Sequence, residues 1–264
     1  MYEFTYQKTD SVEEATAMIK MSEEARYLAG GMTLLPTMKQ RLAAPDVLVD
    51  LNGISALKGI EQHNNNIVIG AMTTHAEVAA SALVQKQLPA LAALAERIGD
   101  PQVRNRGTLG GSVANSDPAA DYPAAVLALN ATIQTDSREL AADDFFVDMF
   151  ETALEENELI TCISFPIPAK AAYQKFPNPA SGYAIVGVFV SVFDSNTRVA
   201  VTGAAGNVYR ENSIERALTK EFHADSLKSI SIDDADFNED IHASARYRAH
   251  LVGVMARRAV DSLQ

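Results

Sequence analysis

Two glycine-centred segments constrain this chain more than anything else in it. The first, Ala29-Gly30-Gly31-Met32-Thr33-Leu34-Leu35-Pro36, follows a strand-like stretch, Arg26–Ala29, and precedes helical spacing over Leu34–Leu42. Glycines between a strand and a helix let the backbone take positive φ and let successive N–H groups point one way. The helix start behind them adds partial positive charge, a combination that suits a phosphate. A tight turn that binds nothing is the competing reading of this loop alone. The second segment, Gly107-Thr108-Leu109-Gly110-Gly111-Ser112-Val113-Ala114-Asn115, continues to Asp117-Pro118-Ala119-Ala120-Asp121 and is preceded by Arg104, Asn105 and Arg106. It offers donors to an oxygen-rich ligand, and Asp121 can accept from hydroxyls; the competing reading is a mobile surface loop. Two such loops in one fold point to an extended, dinucleotide-like ligand.

Neither segment is a Rossmann fingerprint. The chain has no G-x-G-x-x-G and no G-x-x-x-x-G-K-[ST], so NAD in a Rossmann domain and ATP at a P-loop are unsupported. The remaining patterning describes the frame. Residues 11–20 read as a helix capped by Ser11, with Glu13 and Glu14 in its first turn and Ala15, Met18 and Ile19 as its stripe. Val47–Leu51 and Ile67–Gly70 read as strands, and Thr74–Ser81 and Leu88–Ile98 as helices. Asp100–Asp121 reads as a long loop, and loops of that length inside compact domains usually carry function. Pro123–Leu129 is apolar and packed; Ala131–Thr135 and Leu159–Phe165 read as strands. Pro166 and Pro168 mark a domain boundary at about 166–172. Beyond it, Ile185–Phe193 is apolar on both faces, as for a strand covered on both sides. Asp194–Thr197 turns the chain into a returning strand over Arg198–Thr202. Ala243–Leu263 reads as a helix with Tyr247, Leu251 and Val254 as its stripe and Arg246, Arg248, Arg257 and Arg258 off it.

Composition narrows the function. Lys and Arg total 22 against 34 Asp and Glu, a net charge of −12, so a phosphate backbone is repelled and nucleic-acid binding is not expected, despite the local basic group Arg97, Arg104 and Arg106. The single cysteine, Cys162, can neither form an internal disulfide nor hold an iron–sulfur cluster, and in its apolar run it reads as a buried small hydrophobe. The five histidines lack zinc-like spacing, and no nucleophile elbow is present, so no metal and no catalytic residue is expected. His75 reads as a helix-start residue and the acidic run Asp233–Asp240 as a solvated loop. The first residues show no secretory signal, and the longest apolar stretch, Tyr183–Phe193, is far short of the ~20 residues a membrane helix needs. The expectation is a cytoplasmic protein without a membrane span.

These residues resemble the FAD subunit of the xanthine dehydrogenase and carbon monoxide dehydrogenase family of molybdenum hydroxylases. The resemblance runs in order through AGGMTLLP, IGAMTTHAEVAAS, RNRGTLGGSVANSDPAADYPA, Glu158–Pro166, YQKFPNPASGYAIVGV and SARYRAHLVGVMARRAV, nearly the whole chain. It implies an α+β fold: a two-part FAD-binding domain of the p-cresol methylhydroxylase type over 1–168 (parts about 1–55 and 56–168), and a smaller C-terminal α+β domain over 169–264 that closes over the flavin. It implies that Ala29, Gly30, Gly31, Met32, Thr33, Leu34 and Leu35 wrap the FAD pyrophosphate. Thr108, Gly111, Ser112, Ala114 and Asn115 then line the second side, and Asp121 bonds the ribityl or adenosine hydroxyls. Ile98 and Ile160 give apolar contacts, Lys175 sits near the polar edge of the ring system and Tyr183 near the isoalloxazine face. Relatives that attach flavin covalently often use a histidine where this chain has Met32, which implies non-covalent FAD. The molybdenum cofactor and [2Fe–2S] clusters then belong to a large and a small partner subunit, with NAD, oxygen or another molecule as final acceptor. A self-contained flavin reductase or oxidase of the same superfamily is the second reading, and a non-enzymatic nucleotide-binding or assembly module the third.

Overall fold

The structure, a computed structural model, describes residues 1–194 and 196–264. Three principal sheets organise it. A parallel three-stranded sheet has Val47–Asp50 between Thr5–Lys8 and Arg26–Leu28. A five-stranded antiparallel sheet runs Ile60–His63, Asn66–Gly70, Ile160–Pro166, Thr132–Thr135, Glu139–Ala141. A four-stranded antiparallel sheet runs Lys170–Pro177, Ala184–Phe193, Asn196–Thr202, Tyr209–Arg210. The turn expected over Asp194–Thr197 includes Ser195, which lies outside the described residues.

Side-chain caps start the helices that frame these sheets. Ser11 accepts from the Glu14 N–H ahead of Val12–Ile19, and Ala15 and Ile19 are the residues that helix buries. Thr74 and Glu77 form a reciprocal capping box on His75–Ala80. Ser244 accepts from the Tyr247 N–H at the head of Ala245–Asp261. The apolar stretch after Asp121 is a helix, Tyr122–Ala128, buried along its whole length.

That buried helix joins the second and third sheets. Phe189, on the long Ala184–Phe193 strand, packs into the same core as Leu127, Ile133 and Phe165. On the opposite face of the strand, Val186, Val188 and Val190 pack with Val252, Met255 and Val260 of the C-terminal helix. The strand is therefore apolar on both sides because both sides are covered. The last carbonyls of Tyr122–Ala128 have no partners inside the helix, and the third sheet supplies them. Ser191 Oγ donates to the Ala128 carbonyl at 2.6 Å and Arg198 to the Leu127 carbonyl at 2.8 Å. Arg198 also pairs with Asp143 at 2.5 Å, which places a cation at the negative end of the helix.

Two expectations are corrected here. Cys162 is half-exposed, with Sγ 3.5 Å from Gln134 Oε1. A register shift between Ile160 and Cys162 breaks the two-residue alternation, so Ile160 and Ile163 point inward and Cys162 does not. In the C-terminal helix, Arg248 is buried while Tyr247 is 42% exposed. Arg248 donates to the Ile185 carbonyl at 2.7 Å and the Gly203 carbonyl at 2.9 Å, and pairs with Asp240 at 2.7 Å. Ile185 falls at the register shift where its strand has no partner residue, so its carbonyl needs a donor from elsewhere.

Arg248→Met, similar in length and apolar, leaves two buried carbonyls without donors. We predict a loss of about 2–4 kcal/mol of stability, at ~1–3 kcal/mol for each unsatisfied group. It reads out as a lower denaturant midpoint at unchanged slope; a midpoint equal to the wild type's contradicts this account of the helix.

Candidate functional site

The two glycine segments meet in one cleft of about 570 Å³, within the ~300–1,000 Å³ range of small-molecule and cofactor sites. It lies where the parallel sheet abuts the five-stranded sheet, and residues 181–183 of the third sheet's hairpin reach its rim.

The first loop is an amide cradle. The Asn52 side chain donates to the Ala29 carbonyl at 3.1 Å and to Asp50 at 2.6 Å, which fixes where the loop leaves its strand. Gly31 then takes φ +71°, a conformation that penalises any other residue. The N–H groups of Gly30 through Leu34 donate to no acceptor among the described residues, and Thr33 makes no side-chain cap. Five consecutive donors at the wall of a cleft call for an external acceptor.

The second segment is built differently from the expected loop. Pro101–Arg104 is a helical turn and Leu109–Asn115 a helix capped by Thr108. Its first amides are already used. Leu109 donates to the Thr73 carbonyl at 3.0 Å, Gly110 to Ala71 at 2.8 Å, Gly111 to Thr108 Oγ1 at 3.2 Å and Ser112 to the Thr108 carbonyl at 3.0 Å. The glycines serve packing rather than donation: a Cβ on Gly110 lies 2.5 Å from Ala71 Cβ, and one on Gly30 lies 2.1 Å from the Arg106 carbonyl oxygen. The two segments thus touch backbone to backbone. Ser112 and Asn115 of this helix line the cleft.

Of the residues singled out from the sequence, Ala29, Gly30, Gly31, Met32, Thr33, Leu34, Ile98, Thr108, Gly111, Ser112, Ala114, Asn115, Asp121, Ile160 and Tyr183 line the cleft. Leu35 does not; its side chain packs beside Gly31. Lys175 does not either. It is buried, and its ammonium donates to Asp121 at 3.0 Å, the Arg97 carbonyl at 2.9 Å and the Gly182 carbonyl at 2.9 Å, which occupies all three N–H bonds. Tyr173 donates to the other oxygen of Asp121. Asp121 is therefore held by two partners from the Lys170–Pro177 strand, and its reach toward a ligand is limited to the edge it shows the cleft.

Residues not singled out as site residues also line the wall, including Tyr27, His75, Asp117, Leu154, Glu158 and Leu159. Tyr27 donates to the Asn157 carbonyl at 3.0 Å, tying the 154–159 stretch to the first sheet. Glu158 is gripped by Arg138 at 2.9 Å, and that pairing holds its carboxyl at about 2, well below the usual range. His75 is the first residue of its helix, as its sequence context indicates, but its ring turns into the wall beside Tyr122, 5.3 Å between centroids. Burial, aided by the nearby Arg104 charge, lowers its pKa to about 4. Among the described residues there is no group of three or more side chains suited to a metal ion, and no helix is long and apolar enough to cross a membrane.

Comparison with known proteins agrees with this geometry. The family described as the FAD binding domain in molybdopterin dehydrogenase matches residues 2–168. The chain is 36% identical to the nicotine 6-hydroxylase medium subunit of Paenarthrobacter nicotinovorans, over 97% of this chain and 95% of that one. It is 37% identical to the carbon monoxide dehydrogenase medium chain of Hydrogenophaga pseudoflava, over 98% and 96%. Among solved structures, reconstituted CO dehydrogenase from Oligotropha carboxidovorans superposes with a TM-score of 0.91 at 34% identity, covering 99% of this chain and 98% of that one. Fold and cleft together define an α+β FAD-binding protein, an oxidoreductase component. The chain belongs to the FAD-binding family of molybdopterin dehydrogenases, the medium subunits of molybdenum hydroxylases.

Two predictions follow from the wall of the cleft. Gly30→Ala drives a methyl into the Arg106 carbonyl and forces the two segments apart; FAD affinity falls at least about tenfold, or ~1.4 kcal/mol, while the chain still folds. Unchanged affinity in a flavin titration means the contact is incidental. For His75, the folded-state pKa lies below the unfolded one, so the unfolded chain binds the extra proton. Stability is full above pH ~6.5 and falls as pH drops toward 4, by up to ~3 kcal/mol at ~1.4 kcal/mol per pH unit. Chemical denaturation across that window checks it: His75→Gln must flatten the slope, and an identical slope in the variant contradicts the assignment.

Proposed function

We propose that this chain relays electrons through FAD. It receives them from [2Fe–2S] clusters in a small partner subunit, after substrate is hydroxylated at a molybdenum centre in a large one, and passes them to NAD, oxygen or another acceptor. The observation that carries the reading is the run of free N–H groups from Gly30 to Leu34, facing the capped helix Leu109–Asn115 across one cleft. FAD, when bound, supplies the electron chemistry, and the protein supplies binding, orientation and electrostatics.

In this reading the backbone from Ala29 to Leu34 holds the pyrophosphate, and Ser112 and Asn115 serve the opposite side with Thr108, Gly111 and Ala114. Ile98 and Ile160 give apolar contacts, and Asp121 receives ribityl or adenosine hydroxyls. Tyr183, 44% exposed at the rim, covers the ring system. Leu35 and Lys175 act one step back: Leu35 supports the Gly31 turn and Lys175 orients Asp121. Met32 provides no nucleophile for covalent attachment. The chain divides at about residue 168 into an FAD-binding domain and a smaller C-terminal domain. No side chain here acts as acid or base on the hydroxylated substrate.

Reconstitution tests the relay. The purified, FAD-loaded chain is assayed on a panel of aromatic and small-carbon substrates, alone and then with its cluster-bearing and molybdenum-bearing partners. The expected result is no hydroxylation alone and turnover in the assembly. Robust turnover by the chain alone overturns the relay and favours a self-contained flavoenzyme.

A further inference from the structure

We propose that Asp117 sets the reduction potential of the bound flavin, acting as a fixed, unneutralised negative charge at the Tyr183 end of the cleft. The inference rests on the reading above, in which that end holds the ring system.

Asp117 sits in a turn that cannot drift. Ser116, at the end of the Leu109–Asn115 helix, takes φ 45°, and its carbonyl accepts from Phe150 N–H at 3.1 Å. The Pro118 carbonyl accepts from Thr202 Oγ1 at 2.9 Å and from Gly203 N–H at 2.7 Å. The Ala119 carbonyl accepts from Ala184 N–H at 3.2 Å, and the Ala120 carbonyl from Thr202 Oγ1 at 2.7 Å. Within the turn, Asp117 Oδ1 accepts from Ala119 N–H at 2.9 Å. Two strands of the third sheet and the backbone of Phe150 therefore fix this turn.

The two aspartates at this end of the cleft differ in charge balance. Asp121 is neutralised by Lys175 and hydrogen-bonded by Tyr173. Asp117 makes no ion pair among the described residues, and its second oxygen meets no donor there. Burial holds its carboxyl above the usual range, with only the Ala119 N–H working against this. The turn lies beside Tyr183, whose neighbour Ala184 donates to the Ala119 carbonyl, and the Tyr183 phenol is raised by burial first, then by the Asp117 and Asp121 carboxylates. Adding electrons to a ring system beside a fixed carboxylate is opposed by Coulomb repulsion, which is strong where water is partly excluded. Asp117 transfers nothing in this role. The electrons come from the donor clusters and the accompanying protons from solvent. The carboxylate's effect is to keep the bound flavin a better reductant toward the final acceptor.

Asp117→Asn is the informative variant, because its amide oxygen still accepts from Ala119 N–H and the turn is preserved. The measurement is the flavin midpoint potential by spectroscopic redox titration at pH 8, with FAD content and thermal unfolding recorded on the same samples. The expected result is wild-type FAD content and a higher midpoint. The rise corresponds to roughly a tenfold gain in affinity for reduced over oxidised flavin, about 30 mV for a two-electron couple. Asp117→Glu, which keeps the charge, returns most of the shift. An unchanged or lowered midpoint in a loaded Asp117→Asn chain overturns the proposal. Should that variant lose FAD, Asp117→Ser, which also offers an acceptor to Ala119, is titrated instead. Loss of FAD in both assigns Asp117 to binding and overturns the proposal as well. A wild-type chain that takes up no FAD sinks the reading beneath it, a distinct failure visible before any potential is measured.

Discussion

At the centre of the molecule two backbones meet with no side chain between them: Gly30 of the parallel sheet's loop lies against the Arg106 carbonyl, just ahead of the helix Leu109–Asn115. That approach brings the two cleft-lining segments into direct backbone contact. Around it the contacts are equally close, with Gly110 on Ala71 and the amides of Leu109 and Gly110 spent on the Thr73 and Ala71 carbonyls. The second segment is consumed by holding the frame together. The first, freed from that task, keeps its N–H groups without an acceptor among the described residues.

A second constraint comes from the third sheet. Lys175 and Tyr173 reach Asp121, at the head of the buried helix Tyr122–Ala128, while Ser191 and Arg198 from neighbouring strands take the carbonyls at its foot. A buried ion pair is weak evidence for stability, since desolvation offsets much of its attraction. Its value here is position. Both ends of one helix are tied to the sheet whose hairpin carries Tyr183, so Asp121 at its head and Tyr183 at the rim are held in one frame.

Much of the frame was legible in the sequence because local chemistry and tertiary packing agree. Ser11, Thr74 and Ser244 cap the helices they precede, and the two-sided apolar strand over 185–193 is covered on both sides. The Leu109–Asn115 helix was hidden, because a glycine-rich seven-residue stretch has no helical propensity of its own; contact with Ala71 and the Thr108 cap form it. Arg248 was hidden because a charged residue reads as solvent-facing, and only the unpaired Ile185 carbonyl explains its burial. Family resemblance implied a flavin site at the loops and Lys175 near the polar edge of the ring system. The acceptors that hold Lys175, Asp121 among them, come from distant segments, which no local pattern records. Asp117 stood in the sequence only as one residue of the second segment, because its lack of a cation is a property of the assembled fold.

The central claim is that one cleft, with a phosphate cradle at Gly30–Leu34 and a ring site at the Tyr183 rim, holds an entire dinucleotide. Flavin competition tests it most directly: the apoprotein is titrated with FAD, FMN and riboflavin, following quenching of flavin fluorescence. The account predicts FAD binding at one per chain, released intact by acid, with FMN and riboflavin weaker by at least about a hundredfold, the ~2.7 kcal/mol expected when the pyrophosphate-spanning contacts are lost. Equal binding of FMN, or no binding of FAD, contradicts it.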